Sequence, residues 1–320
     1  STETGYTELS CAAWHSYHRV EETPLTDDTL GTAKHVSLSL RGDIALNLYC
    51  EIPDETLKSR PSVAVEFIFA DGSTRRISVK DAILTENGYR FVLPLNAVQM
   101  SVIVEYHLVY GKTSGSYGKT SVRGYCDAIF ADASAEEKNP GIGNLLRAML
   151  NSGSYAQLRF GYRTDDLAAA GLYTDATDPV KNTAVTVTSA PKVTGSLDGV
   201  SLLGYTLALD SETALRIALK VDDSTKYTFT VKGPDGSVTA LSPEKFDDYI
   251  VLTIAEICAS GLSANYTLTV QANDGKTMSV SMDALCYVSS VLSGTGEEET
   301  LTDVVRALKL YGDAAKAYIQ

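Results

Sequence analysis

A helix-like segment occurs twice in this 320-residue chain, and the duplication constrains the fold more than any other feature. The stretch DVVRALKLYGDAAKAYI, residues 303–319, aligns with LLRAMLNSGSYAQLRF, residues 145–160. Gly312 then aligns with Gly153, and the apolar residues of the two copies fall in the same register. The residues that precede each copy align as well. The sequence therefore predicts two copies of one ancestral unit.

Alternating apolar and polar residues predict strands in the first part of each half. Residues 44–49 and 213–218 alternate with period two, as half-buried strands do. Further alternating runs lead into Asp71-Gly72 in the first half and Asp235-Gly236 in the second. An Asp-Gly step between such runs indicates a hairpin, because glycine accepts the positive φ of a tight turn. A third stretch, residues 183–188, alternates like an edge strand.

The period changes towards the end of each half. From Val122 to Phe130 apolar residues recur at helical spacing, and the counterpart in the second half is predicted to begin at Ser281. Cys126 and Cys286 occupy matching positions on these faces, and both are predicted to be small buried residues.

A glycine in the middle of a helix is unfavourable by about 1 kcal/mol relative to alanine. Gly153 and Gly312 both lie at such positions, which predicts that each helix approaches another backbone closely. Residues 165–173, between the halves, are consistent with a short helix.

These patterns predict an α+β fold made of two homologous repeats, each an antiparallel β-sandwich with a C-terminal pair of helices. Residues 1–33 are predicted to form an N-terminal extension that packs on the first repeat. Repeat 1 spans residues 34–178 and repeat 2 spans residues 179–320.

Charge and hydropathy exclude several partners. The net charge is −13 at pH 7, and no basic stripe is present that could neutralise nucleic-acid phosphates or an anionic membrane surface. No apolar run approaches the roughly 18 residues that a bilayer-spanning helix needs, so membrane insertion is not expected. The five cysteines show no CxxC spacing, which argues against a zinc ribbon or a redox dithiol.

Several segments together resemble a known repeat module. They are SVRGYCDAIF (121–130), LLRAMLN (145–151), YAQ (155–157) and FGYRTDDLA (160–168), with LYGDAAKAY (310–318) in the second half. The module is similar to those of secreted and cell-surface proteins of anaerobic Gram-positive gut bacteria, in which a β-rich segment precedes two helices that end in a Tyr-Gly-x-Ala-Ala stretch. In the first copy Ser152 replaces the tyrosine of that stretch. The resemblance implies a secreted or cell-surface location and no catalytic residues.

A search for catalytic and metal-binding patterns predicts no enzyme, no cofactor and no metal site. Gly118-Lys119-Thr120 matches the end of a phosphate-binding loop, but position 113 is threonine where the first glycine is required. His15 and His18 could share one helix face and present two imidazoles, yet no third ligand lies near them in the sequence. Aspartate doublets, such as Asp27-Asp28, fall at predicted turns, which aspartate favours through its own backbone hydrogen bonds.

Aromatic residues remain as candidates for binding. Planar aromatic side chains pack against the C–H faces of sugar rings while polar neighbours take the hydroxyls, by the same amphipathic character that enriches them at interfaces. Two clusters could provide such a surface: Trp14, His15 and Tyr17 near the N-terminus, and Tyr110 and Tyr117 in a predicted loop that is longer than its counterpart in the second half. The competing interpretations are that Trp14 is a core residue and that Tyr117 is an exposed loop tip.

Three functions are therefore carried forward. The first is a non-catalytic extracellular module of a bacterial surface protein that binds polysaccharide, with adhesion as its role. The second is a structural spacer or a protein–protein interaction module whose partner is another surface protein. A glycoside hydrolase is the remote alternative, and it would require two carboxyl groups roughly 5–10 Å apart in a cleft.

Overall fold

A computed structural model describes the backbone of residues 6–11, 14–19, 25–39, 44–209, 213–295 and 297–319. The side chains that it describes begin at residue 26.

The chain forms twenty strands in the described ranges. In the first half these are β1 (Tyr6–Cys11), β2 (Trp14–Arg19), β3 (Leu25–Thr26), β4 (Thr32–Ser39), β5 (Ala45–Glu51), β6 (Ala64–Phe69), β7 (Thr74–Ser78), β8 (Ile83–Thr85), β9 (Gly88–Pro94), β10 (Val104–Tyr110) and β11 (Thr113–Thr120). In the second half they are β12 (Lys192–Gly195), β13 (Val200–Ala208), β14 (Ala214–Val221), β15 (Tyr227–Lys232), β16 (Val238–Ala240), β17 (Glu244–Lys245), β18 (Ile250–Ile254), β19 (Tyr266–Ala272) and β20 (Thr277–Met282).

Seven α-helices and four short 3-10 helices complete the described part of the chain. The α-helices are α1 (Asp54–Ser59), α2 (Val122–Ala131), α3 (Ala135–Lys138), α4 (Ile142–Phe160), α5 (Pro179–Asn182), α6 (Leu285–Ser293) and α7 (Glu299–Ile319). The 3-10 helices are Asp28–Leu30, Ala97–Gln99, Ser224–Lys226 and Ala259–Gly261. Antiparallel sheets combined with helices place the protein in the α+β class.

The strand order is the same in the two halves. The first half contains the sheets β3-β11-β10-β6-β7 and β4-β5-β9-β8, and the second contains β12-β20-β19-β15-β16 and β13-β14-β18-β17. When the strands are numbered from β3 in the first half and from β12 in the second, both pairs of sheets have the same strand order. One pairing differs: β3 runs parallel to β11, whereas β12 runs antiparallel to β20. A separate hairpin joins β1 and β2.

The chain divides into two compact units. The first comprises residues 1–35, 48–91 and 103–119, and the second comprises residues 36–47, 92–102 and 120–320. This division does not follow the predicted repeat boundaries. The predicted boundaries after residues 33 and 178 stay predictions.

In the second unit, two sheets share one core and form a β-sandwich. Ile217 and Leu252 of one sheet and Phe229 and Leu268 of the other belong to the same buried cluster. Such side chains alternate with exposed ones along each strand, because successive side chains of a strand point to opposite faces. The helices α4 and α7 pack against each other in the same unit.

The helix glycines lie where close backbone approach was predicted. Gly153 of α4 faces the 3-10 helix Ala97–Gln99, and Gly312 of α7 faces the 3-10 helix Ala259–Gly261. The prediction that Cys126 and Cys286 are buried is also confirmed.

The segment 183–188 was wrongly predicted to be a strand. The helix α5 ends at Asn182, and the next strand begins only at Lys192. The alternation arises because the segment lies along α6, where the Ser289 hydroxyl donates to the carbonyl of Val187 at 3.0 Å. An extended segment that buries one side against a helix therefore alternates between apolar and polar residues even though it pairs with no strand.

Two helix predictions also need correction. Ser281 does not begin a helix, because β20 continues to Met282 and α6 starts at Leu285. The buried side chains Met278, Val280 and Met282 alternate along β20, and this period-two pattern decides the conformation.

Residues 165–173 contain turns and no helix. Their backbone is held by side chains from two helices. The guanidinium of Arg123 donates to the carbonyls of Ala168 and Ala170 at 2.7 and 3.0 Å, and the Gln157 amide oxygen accepts from the Ala168 N–H at 2.8 Å. These hydrogen bonds replace those that a helix would have supplied.

Candidate functional site

Tyr117 presents its ring on the outside of the first-half sheet. It lies in strand β11, so the expectation that residues 110–117 form a longer loop is wrong. The side chain is 71% exposed, and its ring lies nearly parallel to the imidazole of His107, with 5.7 Å between centroids and 15° between planes. Tyr117 and His107 together form a flat aromatic surface on neighbouring strands.

The alternation of β11 orients Tyr117 outward. Gly118 points to the inner side, where an added Cβ would overlap the hydroxyl oxygen of Tyr106. Glycine at position 118 therefore leaves room for the ring of Tyr106, and burial raises the pKa of that phenol. The neighbours of Gly118 in sequence, Tyr117 and Lys119, face the opposite side.

Polar side chains surround the aromatic pair. Nδ1 of His107 lies 3.2 Å from the hydroxyl oxygen of Ser114. Lys119 forms an ion pair with Glu105 at 2.7 Å, and its hydrogen bond and charge lower the pKa of the Glu105 carboxyl. Both members of this pair are largely exposed, so the pair contributes little to stability.

The polar row continues across the sheet. His107 is paired with Glu66 on β6, and Glu66 is paired with Arg76 on β7. Directly paired residues share one face of a sheet, so an imidazole, a carboxylate and a guanidinium follow Tyr117 in one line. We name this set of six residues the outer-face row: Tyr117, His107, Glu105, Lys119, Glu66 and Arg76.

Tyr110 occupies a different environment. Its ring is half-buried beneath the guanidinium of Arg60, which lies 5.7 Å from the ring centroid. Arg60 is held in turn by the carboxylate of Asp27 at 2.6 Å. The Thr113 hydroxyl donates to the carbonyl of Tyr110 at 2.7 Å and closes the turn between β10 and β11. Tyr110 thus supports the hairpin, and no ring contact joins it to Tyr117 among the described residues.

The N-terminal candidates lie in a strand. Trp14, His15 and Tyr17 belong to β2, where they pair with Cys11, Ser10 and Glu8 of β1. The helix face suggested for His15 and His18 is therefore wrong. The side chains of these residues lie outside the part of the chain that the structure describes, and the role of Trp14 in binding stays a prediction.

Two aromatic pairs were not predicted from the sequence. The rings of Phe246 and Tyr249 lie 4.7 Å apart with 8° between planes, and Phe246 is 44% exposed. His35 and Tyr49 stack at 4.3 Å. The spacing of Phe246 and Tyr249 around Asp247-Asp248 was the available signal, because the turn closes with a bond from the Phe246 N–H to the Tyr249 carbonyl at 2.9 Å.

The aspartate doublets serve local structure. Asp27 and Asp223 each accept a hydrogen bond from the backbone two residues on and cap a 3-10 helix. Across the described residues, no group of three or more histidine, cysteine, aspartate and glutamate side chains could hold a metal ion. Over the same residues, every helix is too short or too polar to span a bilayer.

Comparison with known proteins gives no family. No protein-family model matches the sequence, and no curated protein is similar to it. Among solved structures, a two-domain fibronectin type-III segment of chicken tenascin is 10% identical over 78% of this chain and 98% of its own, with a TM-score of 0.20. The di-domain ARO/CYC BexL from the BE-7585A biosynthetic pathway is 12% identical over 89% of this chain and 88% of its own, with a TM-score of 0.15. Neither likeness is close enough to carry an argument about this chain.

Proposed function

We propose that this protein is a non-catalytic, extracellular module of a bacterial surface protein that binds polysaccharide through the outer-face row. The observation that carries the proposal is the exposed ring of Tyr117, stacked on His107 and flanked by the ion pair of Glu105 and Lys119. The location at the cell surface follows from the resemblance of the sequence to repeat modules of such proteins.

The chemistry of the outer-face row suits a sugar chain. An aromatic plane packs against the apolar C–H face of a pyranose ring and removes apolar surface from water. The carboxylates of Glu105 and Glu66 can accept hydrogen bonds from sugar hydroxyls, and Lys119 and Arg76 can donate to them. The outer-face row crosses four strands of one sheet, β11, β10, β6 and β7, and a row of this kind can contact several successive sugars of an extended chain.

We also infer that the chain consists of two homologous repeats, each closing with a helix pair. The identical strand order of the two halves supports this inference, as do the matched positions of Gly153 and Gly312. The outer-face row is then a property of the first repeat, because the aligned region of the second has Thr269 and Ser279 on neighbouring strands β19 and β20, with their hydroxyls 3.3 Å apart.

Affinity electrophoresis of the full chain in gels containing starch, xylan, mannan, pectin or mucin tests the binding. We expect retention in at least one gel and a loss of about tenfold or more in affinity for Tyr117→Ala, since each tenfold change corresponds to about 1.4 kcal/mol. Val238→Ala removes an exposed apolar side chain elsewhere and should leave retention unchanged. No retention of the wild type in any gel would contradict the function.

Two further variants locate the site. Trp14→Ala tests the N-terminal aromatic cluster, which the sequence predicts to abolish retention if Trp14 belongs to the site. Phe246→Ala tests the stacked pair with Tyr249. Retention that survives Tyr117→Ala and is lost in Phe246→Ala would move the site away from the outer-face row. Release of reducing sugar from a retained polysaccharide would revive the glycoside hydrolase alternative.

A spacer or protein–protein module is the second candidate. Ile83 and Leu84 are 47% and 69% exposed on β8, which lies at the edge of its sheet. An edge strand with exposed apolar side chains can pair with another chain. If the wild type binds no glycan, light scattering over a range of concentrations and the variant Leu84→Lys distinguish an interaction module from an inert spacer.

A further inference from the structure

A cavity of about 320 Å³ lies between the two repeated helices in the second compact unit. Two short 3-10 helices form its floor, through Ala97 with its N-cap Asn96, and through Ala259 with its N-cap Cys258. Helix α4 contributes Ser152 and helix α7 contributes Tyr311. The lining thus takes matching positions from the two halves of the chain.

Ser152 and Tyr311 are the one aligned pair in this lining that differs greatly in size. Each precedes the glycine of its helix, Gly153 or Gly312, so the two side chains have corresponding positions. The second half carries a phenol where the first carries only a hydroxymethyl group. A tyrosine at position 152 would extend into the cavity. The small side chain of Ser152 therefore leaves this volume open.

The hydroxyl of Tyr311 is available for a ligand. The residue is only 5% exposed, and burial raises the pKa of its phenol, which keeps the group neutral and able to donate. Its hydroxyl has no hydrogen-bond partner among the described residues. The hydroxyl oxygen is nevertheless not fully buried, since it is absent from the buried unpaired polar atoms of those residues. The hydroxyl is therefore open to the cavity, where a bound acceptor oxygen can take the place of water as its hydrogen-bond partner.

The remaining lining defines the class of ligand. Ile44, Pro94 and Leu209 supply apolar surface that the protein itself does not bury, and no described lining residue is an acid, a lysine, an arginine or a histidine. A charged ligand would lose its hydration without gaining a counter-charge. A cavity of this volume is at the lower end of the range for small-molecule sites, about 300–1,000 Å³.

We propose that this cavity binds a small, uncharged aromatic molecule with an acceptor oxygen, which takes a hydrogen bond from the Tyr311 hydroxyl. This site is independent of the polysaccharide proposal, because it uses none of the outer-face row. The ring of the ligand packs against the apolar side chains of Ile44, Pro94 and Leu209. Ser152 leaves the space that the ligand occupies.

Isothermal titration calorimetry of the full chain tests the site with three neutral probes: methyl cinnamate, coumarin and 2-naphthol. At least one should bind with a Kd below 1 mM, and cinnamate, the charged counterpart of methyl cinnamate, should bind at least tenfold more weakly. Tyr311→Phe should weaken binding about three- to tenfold, the effect of one hydrogen bond. Ser152→Tyr should abolish binding, and Ser152→Ala should retain it. Failure of all three neutral probes at 1 mM, or equal binding by Ser152→Tyr, would overturn the proposal.

Cys258 gives a second measurement that does not require a variant to fold. Its side chain is half-buried and lines the cavity. A bound probe should slow alkylation of this thiol by N-ethylmaleimide, as mapped by peptide mass spectrometry. If Ser152→Tyr fails to fold, the protection of Cys258 is the deciding measurement. A neutral probe that binds without slowing the alkylation of Cys258 binds elsewhere, and the proposal is then wrong.

Discussion

A Cβ atom on Gly153 would lie 3.0 Å from the carbonyl oxygen of Ala97 and 2.7 Å from the sulfur of Met100. Gly312 has the same relationship to the second 3-10 helix, where an added Cβ would lie 2.8 Å from the carbonyl oxygen of Ala259. Contacts below 3.0 Å force a displacement in a close-packed interior. Both helices therefore use glycine at the point where another backbone crosses them.

Gly153→Ala and Gly312→Ala should each lower the free energy of unfolding by about 1–3 kcal/mol, as overpacking does. This loss outweighs the gain of about 1 kcal/mol that alanine brings to a helix interior. Urea unfolding followed by circular dichroism measures the difference.

Gly143→Ala in α4 is the matched control. The nearest atom to its added Cβ is Nη1 of Arg147 at 3.0 Å, the far end of a flexible side chain. That end can move, so this variant should be as stable as the wild type or slightly more stable. Equal destabilisation by all three substitutions would show that close approach is not the cause.

Much of the framework was predictable from local pattern. The alternation of residues 44–49 and the Asp71-Gly72 step predicted strand β5 and the hairpin of β6 and β7, and both are present. The mid-helix glycines also predicted close contact. Glycine destabilises a helix interior, so its presence there indicates that tertiary packing leaves no room for a side chain. In these cases a local feature of the sequence, either its periodicity or one unfavourable residue, was enough to predict the structure.

The outer-face row could not be predicted from the sequence, because its members are distant along the chain. Tyr117 and His107 meet only because β10 and β11 form a hairpin, and Glu66 joins them through the pairing of β6 with β10. Register of this kind depends on where strands pair, and a shift of one residue would turn Tyr117 inward. The end of β20 at Met282 was missed for a related reason: a short apolar run fits both a strand and a helix.

Gln157→Leu should destabilise the protein by about 2–3 kcal/mol, because several buried backbone groups would lose their partner. Gln157 is fully buried, its amide nitrogen donates to the carbonyl of Asp166 at 3.0 Å, and its amide oxygen accepts from the N–H of Ala168 at 2.8 Å. Amide hydrogen exchange should accelerate at Ala168. Leu158→Ala, on the exposed side of the same helix, should change stability by less than about 1 kcal/mol; a larger effect would indicate general disruption of α4.

Tyr155→Phe should show a penalty that depends on pH. The hydroxyl of Tyr155 donates to the carboxylate of Asp178, and burial together with this bond raises the pKa of the phenol. The folded state thus favours the protonated phenol. Its contribution is complete below the pKa of about 10 of an unfolded tyrosine and decreases above it, by up to about 1.4 kcal/mol per pH unit.

At pH 7 the variant should therefore be less stable than the wild type by about 1–2 kcal/mol. That difference should shrink between pH 10 and pH 12 in urea titrations. Tyr117→Phe removes an exposed hydroxyl that makes no hydrogen bond among the described residues, and it should leave the unfolding free energy at pH 7 unchanged. A penalty for Tyr155→Phe that is constant up to pH 12 would contradict the coupling to Asp178.

The cysteines should react with N-ethylmaleimide at very different rates in the folded protein. Burial raises the pKa of the Cys50 and Cys126 thiols to about 12, so that the reactive thiolate is scarce at pH 8 at either position. Both side chains are also closed to the reagent, whereas Cys258 is half-exposed. Mass mapping after brief treatment at pH 8 should therefore find Cys258 modified at least a hundredfold faster than Cys50 or Cys126. In urea the three rates should converge, because unfolding removes the burial that separates them; similar rates in the folded protein would show that these two thiols are not buried.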